Sequence, residues 1–113
     1  MEIWNSDWCG TSHGPLIEIP TKNGNSLRTR WKNEVYKGNE LAWDNFNGFL
    51  GAVSGLKAVG QRLQFRIIGY DSDDFCPKRL RVKTYDGTVY QSSEMDDWVD
   101  NAKGGHIRYA YKI

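Results

Sequence analysis

Val35-Tyr36-Lys37-Gly38-Asn39-Glu40-Leu41-Ala42-Trp43-Asp44 is matched further along the chain by Val89-Tyr90-Gln91-Ser92-Ser93-Glu94-Met95-Asp96-Asp97-Trp98. Both read V-Y-x-x-x-E-[LM], with a tryptophan and an aspartate close behind. Each stretch leads to an alternating segment opened by glycine. These are Gly60-Gln61-Arg62-Leu63-Gln64-Phe65-Arg66-Ile67 and Gly104-Gly105-His106-Ile107-Arg108-Tyr109-Ala110-Tyr111. Alternation of apolar and polar residues is the mark of a half-buried strand. Recurrence over some tens of residues points to a repeat architecture. The spacing therefore predicts two versions of one β unit, at 35–68 and 89–113.

A third, weaker version is expected at the start. Pro15-Leu16-Ile17-Glu18-Ile19-Pro20 is a short strand between prolines, and its leading Gly14 lies 46 residues before Gly60, which lies 44 before Gly104. Three glycine-led strands at two similar intervals predict pseudo-threefold symmetry. The fold class expected is all-β, with antiparallel strands in two to three repeats and a β-prism or β-trefoil-like closure. A β-sandwich is the alternative. Closure removes the exposed edges that short strands otherwise present.

Between these landmarks, Asn23-Gly24 signals a tight turn, since it supplies the positive φ that a hairpin needs. Ser26-Leu27-Arg28-Thr29-Arg30-Trp31 then alternates, with Leu27, Thr29 and Trp31 expected inside. Its counterpart is Leu80-Arg81-Val82-Lys83-Thr84-Tyr85. These strands are expected to turn at Lys32-Asn33 and Asp86-Gly87 and to return through Val35-Tyr36 and Val89-Tyr90. Phe46, Leu50 and Val53 have helical spacing, but the glycines of 44–57 favour a loop. Residues 69–78 read as the connector between repeats.

Composition agrees with a β-rich, turn-rich chain. The 113 residues include five Trp, six Tyr, four Phe and twelve Gly, and this length suits one domain over 1–113. A net charge of +1 offers no electrostatic case for nucleic acid or an anionic membrane. No apolar run is long enough for membrane insertion, and the first residues lack a signal-peptide pattern. Cys9 and Cys76, the two cysteines, fit either a disulfide in an exported protein or two buried thiols in a cytoplasmic one. An extracellular or cell-surface setting follows from the first.

Chemistry is sparse. Each unit places a tryptophan beside short polar residues: Trp4 with Asn5 and Asp7, Trp43 with Asp44 and Asn45, and Trp98 with Asp97, Asp100 and Asn101. A sugar ring has an apolar C–H face that stacks on an indole, and hydroxyls that bond to carboxylates and amides. These residues are the expected ligand site, and the expected function is non-enzymatic, lectin-like carbohydrate binding to a glycan or cell-surface polysaccharide. Repetition of a shallow site would add avidity. The bland reading makes the same tryptophans core staples and the polar residues turn formers.

The alternative function is a protein-interaction module, such as an inhibitor, immunity or phage-encoded antagonist protein, with an aromatic-rich face as its hot spot. Asp71-Ser72-Asp73-Asp74 lacks the spacing of a calcium loop, and Cys9, His13 and His106 match no catalytic motif. No metal, cofactor or catalytic residue is expected. Arg28, Arg30, Arg62, Arg66, Arg79, Arg81 and Lys83 fall mostly on polar strand faces, where solubilising charge is the simpler explanation than an anion-binding surface.

Ala42-Trp43-Asp44-Asn45-Phe46, the glycine-led strand 60–67 and Asp97-Trp98-Val99 together resemble the clostridial hydrophobic repeats built around tryptophan (ChW-like modules). The chain lacks that family's Glu-Ala pair after the closing Arg-Leu and its His-Val-Gln step before the tryptophan. The resemblance implies a bacterial surface module that binds glycan or protein ligands.

Overall fold

The computed structural model describes residues 1–11, 14–20, 26–32, 34–43, 58–59, 62–69, 75–83, 87–96, 98–99 and 107–113. Nine strands are formed among these described residues, β1 (Glu2–Ile3), β2 (Leu16–Pro20), β3 (Ser26–Arg28), β4 (Ala58–Val59), β5 (Arg62–Ile68), β6 (Pro77–Arg79), β7 (Arg81–Lys83), β8 (Val89–Ser92) and β9 (Ile107–Lys112). No helix occurs among the described residues. Every pairing is antiparallel, so the all-β expectation holds.

The main sheet runs β3-β2-β5-β9-β8-β7, with β4 on β5, and curls into a half-barrel; β1 and β6 make a second, two-stranded sheet. β5 is central because its alternation is the strongest in the chain. Leu63, Phe65 and Ile67 are buried on one face while Arg62, Gln64 and Arg66 face outward. The core continues through Ile17, Ile19, Leu27, Val82 and Ala110, and is closed by Ile3, Val35, Phe75, Leu80 and Val99. Trp4, Trp43 and Tyr90 pack on it only partly buried. The apolar centre is therefore aliphatic and phenylalanine-rich, with Trp4 and Trp43 at its margin and Trp8, Trp31 and Trp98 exposed.

Strand order corrects the expected pairings. Val35 does not return on β3; it bridges Thr11, while β3 folds back on β2. The hairpin from Leu80 through Gly87 to Tyr90 forms as expected. The strands expected to close three repeats, β2, β5 and β9, lie side by side in alternating directions. A prism or trefoil is not shown by this order, because strands related by a threefold axis do not hydrogen-bond as antiparallel neighbours. Residues 75–78 of the expected connector are structural: Phe75 is fully buried, and β6 begins at Pro77. Trp31 is exposed where alternation put it inside, since the pairing of β3 ends at Arg28. The Asn23-Gly24 turn, the loop 44–57 and Asp71-Ser72-Asp73-Asp74 lie outside the described residues.

A different equivalence appears in the hydrogen bonds. β2–β3 pairs Glu18 with Arg28, Ile19 with Leu27 and Pro20 with Ser26. β7–β8 pairs Arg81 with Gln91, Val82 with Tyr90 and Lys83 with Val89, the same register 63 residues later. Buried Thr29 donates its amide to the Ile17 carbonyl and accepts the Ile17 amide on its hydroxyl, at 3.0 and 2.8 Å. Buried Ser92 does the same with Leu80, both at 2.9 Å. The Lys32 amide reaches the Pro15 carbonyl at 3.1 Å, and Met95 reaches Lys78 at 2.8 Å. Each ladder ends in an isolated bridge, Thr11 with Val35 and Phe75 with Val99. Two long irregular hairpins, 11–35 and 75–99, thus flank the β5–β9 pair.

Candidate functional site

Ahead of the first hairpin, the N-terminal segment runs antiparallel to residues 35–41. The Leu41 amide bonds the Met1 carbonyl, Ile3 bonds Asn39, Gly38 bonds Trp4, and Thr11 and Val35 exchange bonds. Residues 5–10 have too few partners opposite them and bulge outward as a knuckle. Its turn is closed by the Cys9 amide on the Ser6 carbonyl at 3.3 Å. A side chain at Gly10 would stand 2.5 Å from the Val35 carbonyl oxygen, so glycine is required where the knuckle rejoins the strand.

A disulfide joins Cys9 to Cys76, so neither is a free thiol. Cys76 also donates its amide to the Cys9 carbonyl and accepts the Trp4 amide on its own carbonyl. The knuckle is therefore fixed covalently and by backbone bonds to the entry of β6. β1 pairing with β6 brings the N-terminus alongside the second hairpin, with the Arg79 guanidinium between Glu2 at 3.3 Å and Glu94 at 3.0 Å.

This junction makes an open groove of about 290 Å³. Trp4 and Trp98 line it with Ser6, Asp7 and Asp96, and the Cys9–Cys76 bond forms part of its wall. Trp4 is held rigidly: its indole N–H donates to the Met95 carbonyl at 2.6 Å, and the Lys78 ammonium sits 4.8 Å from its ring centre. Trp98 is 48% exposed, which leaves indole surface open for contact. Asp7 is exposed and bonded by the Lys37 ammonium at 3.0 Å, which positions its carboxylate at the rim. Among the described residues, no cluster of His, Cys, Asp or Glu could hold a metal.

The groove unites parts of two sites that the sequence placed on separate units. Trp4 and Asp7 come from the first, and Trp98 from the last. Asn5 packs near Gly38 and is not among the groove residues. Trp43 sits elsewhere, its indole N–H on the Arg30 carbonyl at 2.9 Å and the Lys32 ammonium 5.4 Å from its ring centre. Asp44, Asn45, Asp97, Asp100 and Asn101 lie outside the described residues, as do His13 and His106.

Sequence reading passed over Ser6 and Asp96, although Asp96 lies two residues before Trp98. Trp8 is 84% exposed and adopts a left-handed φ of 68°. That backbone region is disfavoured by about 1–2 kcal/mol for a residue with a side chain. No helix of the described residues is long and apolar enough to cross a membrane. No family model and no curated protein matches this chain.

Proposed function

We propose that the protein is a non-enzymatic glycan-binding module whose site is the groove between Trp4 and Trp98. The observation that carries this reading is the convergence of two indoles, one rigidly fixed and one half exposed, with Asp7, Asp96 and Ser6 in one small open groove. An indole takes the apolar face of a sugar ring, and carboxylate and hydroxyl oxygens take its hydroxyls. The volume suits one or two sugar residues, so the site engages a short stretch or an end of a polymer. The Cys9–Cys76 bond supports an exported, cell-surface setting, where disulfides persist, in keeping with the surface role implied by the ChW-like resemblance. The two hairpins, in this reading, are copies of one ancestral unit, and the groove lies where the second meets the N-terminal knuckle.

Tryptophan fluorescence during titration with soluble glycans tests this directly. A saturable signal is expected, weakened at least about tenfold by Trp98→Ala, the loss of roughly 1.4 kcal/mol of stacking. Trp43→Phe is expected to bind normally. An unchanged affinity in a folded Trp98→Ala protein, or silence across the panel, sinks the proposal.

One observation favours a second reading. Trp8 presents nearly its whole indole on a strained backbone, in a knuckle tied down by the disulfide, and exposed Tyr36 lies on the strand packed against Gly10. Rigid exposed aromatics are the usual anchors of protein interfaces. Trp8→Ala leaves glycan binding intact and abolishes partner capture if the knuckle docks a protein.

A further inference from the structure

The outer face of the half-barrel carries a charge distribution that the net charge of +1 conceals. Cross-strand partners point to the same side of a sheet, so the registers place Arg62, Tyr111, Gln91 and Arg81 in one row across β5, β9, β8 and β7. A second row holds Arg28, Glu18, Arg66 and Ile107 across β3, β2, β5 and β9. Gln64 and Tyr109 lie between the rows, and Lys83 extends the face along β7. Five cations therefore share the face with one carboxylate, Glu18, which Arg28 already binds at 2.6 Å. Among the described residues, Arg62, Arg66, Arg81 and Lys83 have no ion-pair partner on this face.

We infer that this face binds an anionic glycan, a polysaccharide bearing carboxylate or sulfate groups, laid across the strands from Arg62 to Arg81. Neighbouring strands stand about 4.8 Å apart, so the three steps from Arg62 to Arg81 span about 14 Å. That distance suits successive charges on a polymer and exceeds what one small anion needs. Guanidinium groups match carboxylate and sulfate oxygens through paired N–H donors. Gln64 and Gln91, and exposed Tyr111, provide hydrogen bonds and a ring face for the sugars between charges.

A single-stranded nucleic acid would use the same cations, but it needs free aromatic faces for its bases. The Arg62 guanidinium already lies 4.1 Å from the ring centre of Tyr109, occupying one face of that ring. The Cys9–Cys76 disulfide also fits an oxidising setting, where acidic glycans rather than nucleic acids abound. None of these residues lines the Trp4–Trp98 groove, so the inference does not rest on the groove.

The test is binding of the full chain to immobilised polygalacturonate, dextran sulfate, neutral dextran and an oligothymidylate at rising salt. Retention on both acidic polymers, none on neutral dextran, and release by salt are expected, because exposed charge pairs are screened. Arg62→Gln with Arg81→Gln is expected to weaken binding about tenfold, at up to about 1 kcal/mol for each exposed pair. Arg62→Lys with Arg81→Lys should retain most of it. Lys112→Gln removes a charge from the opposite side of the sheet, where Lys112 pairs with Tyr90 and Tyr90 with buried Val82, and should change little.

Equal retention on neutral dextran, or an unchanged glutamine double variant, overturns the inference. So does tighter binding of the oligothymidylate that Tyr111→Ala abolishes, which makes the face a nucleic-acid surface. If Trp98→Ala abolishes binding and the glutamine pair does not, the groove reads the acidic polymer and the sheet face does not.

Discussion

Residues 11–35 and 75–99 carry the same ladder of backbone bonds, the same register and a buried hydroxyl at the same step, yet their outward faces are opposite in character. In the first hairpin Glu18 is paired with Arg28 at 2.6 Å and neutralises it. In the second, the matching position is Arg81, opposite Gln91, and the charge stands open. The hairpins also join the sheet differently: the first through its leading strand, β2 on β5, the second through its trailing strand, β8 on β9. Only the second is tied covalently, through Cys76. The pairing geometry depends on inward apolar residues and one buried hydroxyl. The outer face is thereby released to carry function.

The largest expected difference comes from the covalent tie. Cys9→Ser with Cys76→Ser is expected to lower unfolding free energy by about 4 kcal/mol, from the chain entropy regained when a loop of this length opens. Urea unfolding of the oxidised and variant proteins measures it, and the glycan signal of the groove should vanish with the tie. A drop below about 1 kcal/mol would mean that the backbone bonds around Cys76 hold the knuckle unaided.

Next come the paired hydroxyls. Thr29→Val and Ser92→Ala each leave a buried amide, of Ile17 or Leu80, without its acceptor, at about 1–3 kcal/mol. Similar losses in both confirm that the two sites do the same work. A loss at Ser92 with none at Thr29 breaks the equivalence.

Turn glycines give a smaller effect. Gly87 has φ of 88° and open space around it, so Gly87→Ala tests backbone strain alone and should cost about 1–2 kcal/mol. Gly24 holds the matching position in sequence, and Gly24→Ala costs the same if the first turn repeats the second.

The smallest prediction concerns the end of the first hairpin. A hydrogen bond from the Tyr36 phenol to the Glu34 carboxylate, followed by the negative charge of Glu34, raises the phenol pKa above its ordinary 10.0. Both causes favour the protonated phenol, so Glu34→Gln should shift its ultraviolet titration to lower pH. No shift would show that the pair does not form in solution.

Strands were legible in the sequence because alternation is a local property, and β3, β5, β7 and β9 all overlap segments where apolar and polar residues alternate, while β2 shows as a short run between prolines. Their partners were not. Val35-Tyr36 and Val89-Tyr90 look alike because strands favour β-branched and aromatic residues, yet one meets Thr11 and the other meets Val82 and Lys83. The true equivalence hides behind Ile17 and Leu80, Ile19 and Val82, and Thr29 and Ser92, pairs alike in burial and role but not in letter. At the site, tryptophan beside short polar residues was a usable signal for Trp4, Asp7 and Trp98. Their convergence depends on the β1–β6 pairing and the disulfide, both of which join residues more than 60 positions apart.

That same disulfide has a mechanical consequence. A module anchored at one end and loaded at the other carries tension through its backbone, but the Cys9–Cys76 bond short-circuits the 67-residue separation between them. Roughly 220–240 Å of extensible chain is thereby withheld. Pulled from its ends in an oxidising medium, the protein yields a short extension, and after reduction a long one, so its length under load reports the state of one covalent bond.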